Sequence, residues 1–167
     1  MAELRIETPA GFGLTTIMAR RGIDAVALGA RLGLAPPTHP AWTQAAHGLR
    51  LIGTGAGSWL AYEEHAPPFW AEELRDQLRS VASVSDQSDG YAIVRLSGEG
   101  ARTVLQRGAA IDFHPDSFAR GSAATTVIAH IGVIVWQLDD APTYEVATFR
   151  SFSDSFRHWL DQTAAAL

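Results

Sequence analysis

The strongest constraint on the fold is an order of predicted elements that occurs twice along the 167-residue chain. In each half, a strand, a glycine-bounded helix, a proline-containing loop, at least two strands and an amphipathic helix with aromatic residues follow one another. We interpret this order as a β-α-β-β-α unit used twice within a single domain, 1–167, with the halves at about 1–81 and 82–167. Such units predict an α+β fold in which helices cover antiparallel or mixed sheets.

The first half is predicted to contain two helices with a hairpin between them. The first helix covers about Ile23–Leu32 and ends at Gly33. Strands at Leu49–Ile52 and Trp59–Glu63 flank a flexible loop, Gly53–Ser58. The second helix follows Pro67 and Pro68. Helical spacing of apolar residues predicts the buried stripes, which are Ile23, Val26, Ala27 and Ala30 in the first helix and Trp70, Leu74, Leu78 and Val81 in the second.

The second half is predicted to begin with a strand at Tyr91–Leu96 and a helix at Gly98–Arg107 that stops at Gly108. An irregular loop over 109–120 follows. Ser151 and Asp154 match a capping box at the start of the last helix. Three further strands are predicted, at Thr125–Ala129, Val133–Leu138 and Tyr144–Phe149. The inward residues of the two helices are Ala101, Val104 and Leu105, and then Phe152, Phe156, Trp159 and Leu160.

The composition excludes several classes of chemistry. The chain has no cysteine, and all 13 basic residues are arginine, so thiolate and lysine-based catalysis are ruled out. The formal net charge of −5 argues against non-specific nucleic-acid binding. Charges at Glu3, Arg5 and Glu7 do not fit a secretory signal, and 123–136 is too short and polar to cross a bilayer. We therefore expect a cytoplasmic protein without a membrane segment. Charged residues make up only 19% of the chain, which is consistent with a partner covering part of its surface.

The Gly98-Glu99-Gly100 turn lies where a dinucleotide-binding loop would lie, between a predicted strand and a predicted helix. Thr103 occupies the place of the third glycine, and Glu99 adds a negative charge where a pyrophosphate would bind. The pattern therefore favours an ordinary strand-to-helix turn.

Two acidic segments admit either a ligand site or a local turn. The alternating Asp112, His114 and Asp116 could bind a metal, but their place beside Pro115 favours hydrogen bonds within a turn. The pair at 139–140, between a strand and a proline, also indicates a turn.

His130 stands alone in an apolar run and is predicted to be a packed core residue.

Asp86 and Asp89 precede the strand that starts at Tyr91. Neither has an evident partner base, nucleophile or metal set. We therefore expect Asp86 and Ser88 to bond local backbone in a turn, and Gly90 to permit the bend into the strand. The residues alone reveal no catalytic constellation, so no catalytic, cofactor-binding or metal-binding residue is predicted on this chain.

A series of residues over about 82–161 carries a family resemblance. In order, they are Val84-Ser85-Asp86-Gln87-Ser88, Gly90, Leu96-Ser97-Gly98, Ala101-Arg102, Leu105, Gly108, Ile111-Asp112, His114-Pro115, Phe118, Gly121, Arg150-Ser151-Phe152 and Trp159-Leu160. Taken together they resemble the gamma subunit family of heterotetrameric sarcosine oxidase; the first 80 residues match only loosely, in length and order. The series is also similar, more distantly, to the folate-binding aminomethyltransferase fold of the glycine cleavage T-protein.

The resemblance implies a place in a flavin-dependent enzyme complex. The holoenzyme of that family oxidatively demethylates sarcosine to glycine, reduces O2 to hydrogen peroxide and, with tetrahydrofolate, forms 5,10-methylenetetrahydrofolate. FAD, FMN, NAD and tetrahydrofolate are expected on the partner chains, which are the alpha, beta and delta subunits. The implied role of this chain is non-catalytic: it packs on the folate-binding part of the alpha subunit and stabilises the complex.

Two alternatives remain open at this point. The chain could be a free-standing folate-binding or aminomethyltransferase-like protein. Against this, the carboxylate that the T-protein family carries in a hairpin is replaced here by Ala129-His130-Ile131-Gly132-Val133. The chain could also be the gamma subunit of an oxidase for another N-methyl amine, such as dimethylglycine.

Overall fold

The computed structural model describes residues 3–167 and contains, in that range, ten strands and four helices. In chain order they are β1 (Arg5–Glu7), β2 (Gly13–Ala19), α1 (Ala25–Leu32), β3 (Trp42–Gln44), β4 (Arg50–Gly55), β5 (Ser58–Glu63), α2 (Trp70–Leu78), β6 (Ala82–Asp86), β7 (Tyr91–Ser97), α3 (Glu99–Gly108), β8 (Ala123–Ile128), β9 (Ile131–Asp139), β10 (Thr143–Phe149) and α4 (Ser153–Ala164). None of these helices is long and apolar enough to span a bilayer.

The strands form two five-stranded sheets with matching orders, β6-β2-β5-β4-β3 and β1-β7-β10-β9-β8. Every ladder in both sheets is antiparallel. Apolar residues of α1 and α2 pack on the first sheet, and those of α3 and α4 pack on the second. The predicted α+β class, with antiparallel sheets covered by helices, is confirmed.

Each sheet takes its first edge strand from a distant part of the chain. Strand β1 precedes β2 but pairs with β7, so that Arg5 lies opposite Ser97. Strand β6 precedes β7 but pairs with β2, so that Asp86 lies opposite Thr15. The chain accordingly divides into two compact units, Ala10–Asp89 and residues 3–9 with Gly90–Leu167.

Helix α1 ends at Gly33 as predicted, but it begins at Ala25, two residues later than predicted, with Asp24 as its N-cap. The Asp24 side chain accepts a hydrogen bond from the Ala27 N–H (2.8 Å), and Gly33 closes the helix with φ of +66°. The buried residues are Leu28 and Leu32, whereas Val26 is 79% exposed. Of the predicted stripe, Ile23 packs against the core, but Val26 and Ala30 are exposed. Those two were predicted wrongly because they satisfy the same helical spacing as Leu28 and Leu32.

The apolar faces of the other helices agree more closely with the sequence pattern. Ala101, Val104 and Leu105 of α3 are fully buried, as predicted. Leu74 and Leu78 of α2 are buried, and Phe156 and Leu160 of α4 are fully buried. Among the predicted inward residues of α2 and α4, Phe152 alone is exposed.

Strand pairing extends into segments that the sequence pattern assigned to loops. Gly53–Gly55 continues β4 and Ser58 begins β5, so the predicted flexible loop shrinks to a turn at Ala56 and Gly57. Glycine is required at Gly53, because a Cβ there would lie 2.8 Å from the His39 carbonyl oxygen. Strands β1, β3 and β6 have no counterpart among the predicted elements.

His130 is an exposed turn residue, so its predicted place in the core was wrong. Ala129 and His130 join β8 to β9 with φ values of +51° and +66°. Two consecutive positive φ values are typical of a type I′ hairpin turn, which normally uses Asn and Gly. The apolar residues on both sides of His130 belong to two strands that reverse at this point.

The predicted capping box at the start of α4 is not formed. Arg150–Phe152 is a single 3₁₀ turn, and the Ser153 hydroxyl donates to the Arg150 carbonyl (2.8 Å). Phe152 occupies the N-cap position and makes no side-chain capping bond.

The hairpin turn gives a first prediction. We expect His130→Gly to raise the free energy of unfolding by about 1 kcal/mol, because glycine adopts positive φ without the steric cost that histidine incurs. In a chain of this size the melting temperature should rise by about 2–4 °C in a thermal scan. His47 is also exposed but does not have a positive φ, so His47→Gly is the matched control. It should not raise the melting temperature. A lower melting temperature for His130→Gly would contradict the assigned strain.

Candidate functional site

Asp86 and Ser88 join the end of β6 to the start of β2. The Asp86 Oδ1 atom accepts hydrogen bonds from the Ser88 N–H (2.9 Å) and the Ser88 hydroxyl (2.7 Å). The same hydroxyl accepts from the N–H of Leu14 (3.0 Å), 74 residues away along the chain. The Gln87 N–H donates to the Leu14 carbonyl (2.7 Å). The predicted local turn is confirmed, and it also holds a long-range strand pairing that the sequence did not predict.

A shallow depression of about 230 Å³ adjoins this turn. It is lined by Gly11–Gly13, Ala66, Pro67, Phe69–Glu72, Asp86 and Ser88. The Trp70 ring lies so close to Gly13 that a Cβ on residue 13 would come within 2.5 Å of Trp70 Cε3. The depression therefore has aromatic and carboxylate groups in its lining, and its shape depends on a glycine at 13.

Phe69 lies at the edge of this depression in an unusual conformation. It is the N-cap residue of α2, with φ of +64°, and makes no side-chain capping bond. Its side chain is 74% exposed. A bulky residue with positive φ is strained, and phenylalanine is not among the favoured N-cap residues.

The Gly98–Gly100 turn is filled by the chain itself. The Gly100 N–H donates to the Glu3 carbonyl (2.9 Å), and a Cβ at Gly98 would lie 2.5 Å from the same oxygen. These glycines therefore permit the close approach of the segment before β1. The Glu3 carbonyl accepts the hydrogen bond from the Gly100 N–H, which is the donor that a bound phosphate would need. The prediction of a plain strand-to-helix turn is therefore confirmed.

The acidic loop after α3 is held by local hydrogen bonds. Asp112 accepts from the His114 N–H (2.8 Å) through Oδ1 and from the Ser117 hydroxyl (3.2 Å) through Oδ2. The Asp116 N–H donates to His114 Nδ1 (3.3 Å). Across residues 3–167, no cluster of three or more His, Asp or Glu side chains has a geometry that could bind a metal ion. The predicted turn is confirmed for this loop.

Asp139 also caps a turn as predicted, because its Oδ1 atom accepts from the Ala141 N–H (3.0 Å).

A groove of about 450 Å³ runs between α3 and this loop. Arg102, Thr103, Gln106 and Arg107 line it from the helix side. The Arg107 guanidinium donates to the carbonyls of Thr163 and Ala166 (3.2 and 3.1 Å). Arg107 thereby contacts carbonyls at the end of α4, where a helix leaves acceptors without intrahelical partners.

Tyr144 is fully buried beside the rings of Phe113 and Phe118. Burial raises the pKa of the Tyr144 hydroxyl, and the nearby Arg102 guanidinium acts in the opposite direction. Burial likewise raises the pKa of Tyr91. Both side chains are therefore neutral phenols at pH 7 and not bases.

An ion pair that the sequence analysis did not identify lies within the second sheet. The Glu145 carboxylate is fully buried and bonds to Arg95 through Nη2 (2.6 Å) and Nε (3.1 Å). Its other oxygen accepts from the Trp136 indole N–H (2.8 Å). Arg95 and Trp136 lie directly opposite Glu145 on the two neighbouring strands. The sequence signal that could have revealed this pair is one charged residue inside each of two apolar strands, Arg95 in β7 and Glu145 in β10.

The first sheet contains a comparable buried cation. Arg50 is 7% exposed, and its guanidinium carbon lies 5.1 Å from the Trp42 ring centroid and 5.3 Å from that of Tyr62. The side chain also donates to Gln44 (3.3 Å). Cation–π contacts of this kind stabilise a desolvated arginine. The buried Arg50 and the partly exposed Arg95 thus each contact groups that belong to their own sheet.

These contacts define an α+β module in which the motif residues support the fold. A model of the sarcosine oxidase, gamma subunit family matches residues 39–166, and the chain belongs to that family. The match begins at residue 39 and so reaches well into the first half, where the residue-by-residue resemblance was loose.

Individual relatives agree with this assignment. The sarcosine oxidase subunit gamma of Corynebacterium sp. (strain P-1) is 28% identical over 113 residues, which are 68% of this chain and 55% of that protein. The subunit gamma of Arthrobacter sp. is 27% identical over 116 residues, 70% of this chain and 57% of that protein. The matched region thus spans little more than half the length of these relatives.

Solved structures share the fold. A chain of the heterotetrameric sarcosine oxidase from Corynebacterium sp. U-96, solved in complex with pyrrole 2-carboxylate, matches with a TM-score of 0.87 and 23% identity, covering 98% of this chain and 84% of that one. The glycine cleavage system aminomethyltransferase T from Bartonella henselae matches with a TM-score of 0.70 and 11% identity, covering 95% of this chain and 45% of that one. The predicted likeness to a T-protein module is confirmed at the level of fold.

The turn at the end of β6 gives a second prediction. Asp86→Ala removes the acceptor that orients Ser88, and we expect it to lower the free energy of unfolding by about 1–2 kcal/mol. Urea denaturation of the purified chain measures the loss. Ser85→Ala, at an exposed neighbouring position of β6, should change stability by less than about 0.5 kcal/mol. Equal effects of the two substitutions would refute the role assigned to Asp86.

The buried ion pair gives a third prediction. Glu145→Ala removes the buried carboxylate that accepts hydrogen bonds from Arg95 and Trp136, so we expect a loss of about 3–5 kcal/mol. The exposed pair of Arg157 and Asp161 on α4 (2.9 Å) is the control. Asp161→Ala should cost about 1 kcal/mol or less in the same denaturation measurement, because water screens an exposed pair. If Glu145→Ala cost no more than Asp161→Ala, the buried pair would not have the stabilising role assigned here.

Proposed function

We propose that this chain is the small, non-catalytic gamma subunit of a heterotetrameric sarcosine oxidase. The observation that carries the proposal is the family match over residues 39–166. In this role the chain packs on the folate-binding part of the alpha subunit and stabilises the complex. Its likeness in fold to a chain of a heterotetrameric sarcosine oxidase supports this role.

The activity belongs to the complex as a whole. The complex oxidatively demethylates sarcosine to glycine with O2, releasing hydrogen peroxide and, with tetrahydrofolate, 5,10-methylenetetrahydrofolate. FAD, FMN, NAD and tetrahydrofolate bind to the partner chains, which are the alpha, beta and delta subunits. The complex is cytoplasmic. No nucleic acid or membrane takes part in this function.

In this proposal the chain contributes no catalytic, cofactor-binding or metal-binding residue. Three features support that division of labour: the Glu3 carbonyl fills the turn at Gly98–Gly100, Asp86 is engaged by Ser88, and the Glu145 carboxylate is bonded to Arg95 and Trp136. The chain is a single gamma-type domain that is pseudo-duplicated at about 1–81 and 82–167. The matching strand orders of its two sheets support the duplication.

A second candidate function is independent folate binding, which the likeness in fold to aminomethyltransferase T favours. The hairpin at Ala129–Val133 lacks the carboxylate expected for folate chemistry, so we place this function second. A gamma subunit of an oxidase for a related N-methyl amine, such as dimethylglycine, would have the same structural role.

Co-expression tests the proposal. We expect the full chain to co-purify in stoichiometric amount with the large subunits of a sarcosine oxidase, and to be required for a complex of uniform size in size-exclusion chromatography. The isolated chain should show no flavin absorbance and no turnover of sarcosine. Stoichiometric flavin on the isolated chain, or a complete and active complex formed without it, would refute the proposed role.

A further inference from the structure

We propose that Phe69 is an interface anchor that inserts into an apolar pocket with a basic rim on a partner subunit. The partner is taken to be a subunit of the same oxidase complex, so the inference rests on the proposed function and adds the contact surface to it.

The conformation of Phe69 is unfavourable for the isolated fold. The residue has φ of +64° at the N-cap of α2, where Asn, Asp or Ser would relieve strain and cap the helix. Its side chain is 74% exposed, so the little apolar surface that it buries within the chain does not offset the strain. Phenylalanine at this position lowers the stability of the chain, and binding to another molecule would offset that cost.

The backbone on both sides of Phe69 is held in place. Pro67 and Pro68 precede it and restrict the backbone to a narrow range of φ. The Ala66 N–H donates to the Gly11 carbonyl (3.3 Å), and the Glu73 N–H donates to the Phe69 carbonyl (2.9 Å). Ordering this segment on binding therefore costs little backbone entropy, and aromatic residues are frequent hot spots of protein interfaces.

The charges beside Phe69 indicate the kind of partner. Glu72 and Asp86 line the adjoining depression, and within residues 3–167 no arginine or histidine contributes to that lining. Glu73 is also exposed in the first turn of α2. An apolar centre with an acidic rim is complementary to an apolar pocket rimmed by arginine or lysine.

The depression itself is too small to suggest a small-molecule site. Its volume of about 230 Å³ lies below the range of roughly 300–1,000 Å³ that is typical of ligand pockets. The size of the site and the projecting ring therefore favour a protein partner over a free ligand.

Phe69→Asn tests the anchor, because asparagine tolerates positive φ and is a good N-cap residue. We expect this variant to raise the melting temperature of the isolated chain and to weaken its association with the large subunits at least tenfold. Val26→Gln removes another highly exposed apolar side chain in the same unit and should leave association unchanged. Association is measured by competition, in which differently tagged wild-type and variant chains are co-expressed with the large subunits and their incorporation is compared.

The charged rim has its own test. Glu72→Gln should slow association several-fold at low salt and reduce the dependence of the association rate on salt concentration. An unchanged association rate for Glu72→Gln would overturn the basic-rim part of the proposal.

The outcomes separate this inference from the proposed function. If the wild-type chain enters the complex and Phe69→Asn competes equally with it, the anchor is refuted and the gamma-subunit function stands. If Phe69→Asn lowers the melting temperature, the ring has a structural role and the inference is overturned. If the wild-type chain fails to enter the complex, the proposed function is refuted and this inference with it.

Discussion

The pairing of β2 with β6, which the hydrogen bond from the Leu14 N–H to the Ser88 hydroxyl closes, is the long-range contact on which the first sheet depends. That hydrogen bond joins two points 74 residues apart and lies where β6 ends beside the start of β2. Strand β2 pairs with β5 on its other side, so its position sets the register of both ladders. Closing so long a segment costs chain entropy, which the strand pairing and the turn at Asp86 must together repay.

The polar motifs of this family member are best explained by the demands of its folding topology. Because β1 joins the second sheet, the segment at Glu3 must pass close to the start of α3, and the glycines at 98 and 100 permit that approach. Because β6 joins the first sheet, Asp86 and Ser88 must end one strand and hold another. The same residues resemble phosphate or carboxylate sites in sequence, since glycines, serines and aspartates serve both purposes. Their role in supporting the fold agrees with the non-catalytic function proposed above.

Local structure could be predicted from the sequence where local periodicity determines it. The inward face of α3 and the turns at Asp112 and Asp139 follow from residues close together in the chain. Strands β1 and β6 could not be predicted, because their partners lie about 90 and 70 residues away. His130 was misplaced because two apolar strands on either side of a two-residue turn look like one continuous run. The pairing of Arg95 with Glu145 likewise depends on strand register, which single-sequence patterns do not specify.

In the proposed function, this chain has the fold of a T-protein module and binds no folate itself. Calorimetric titration of the isolated full-length chain with tetrahydrofolate tests that function, with a glycine cleavage aminomethyltransferase as the positive control. We expect no measurable heat of binding for this chain at concentrations that saturate the control. Stoichiometric binding of comparable affinity would contradict the proposed function and favour an independent folate-binding function.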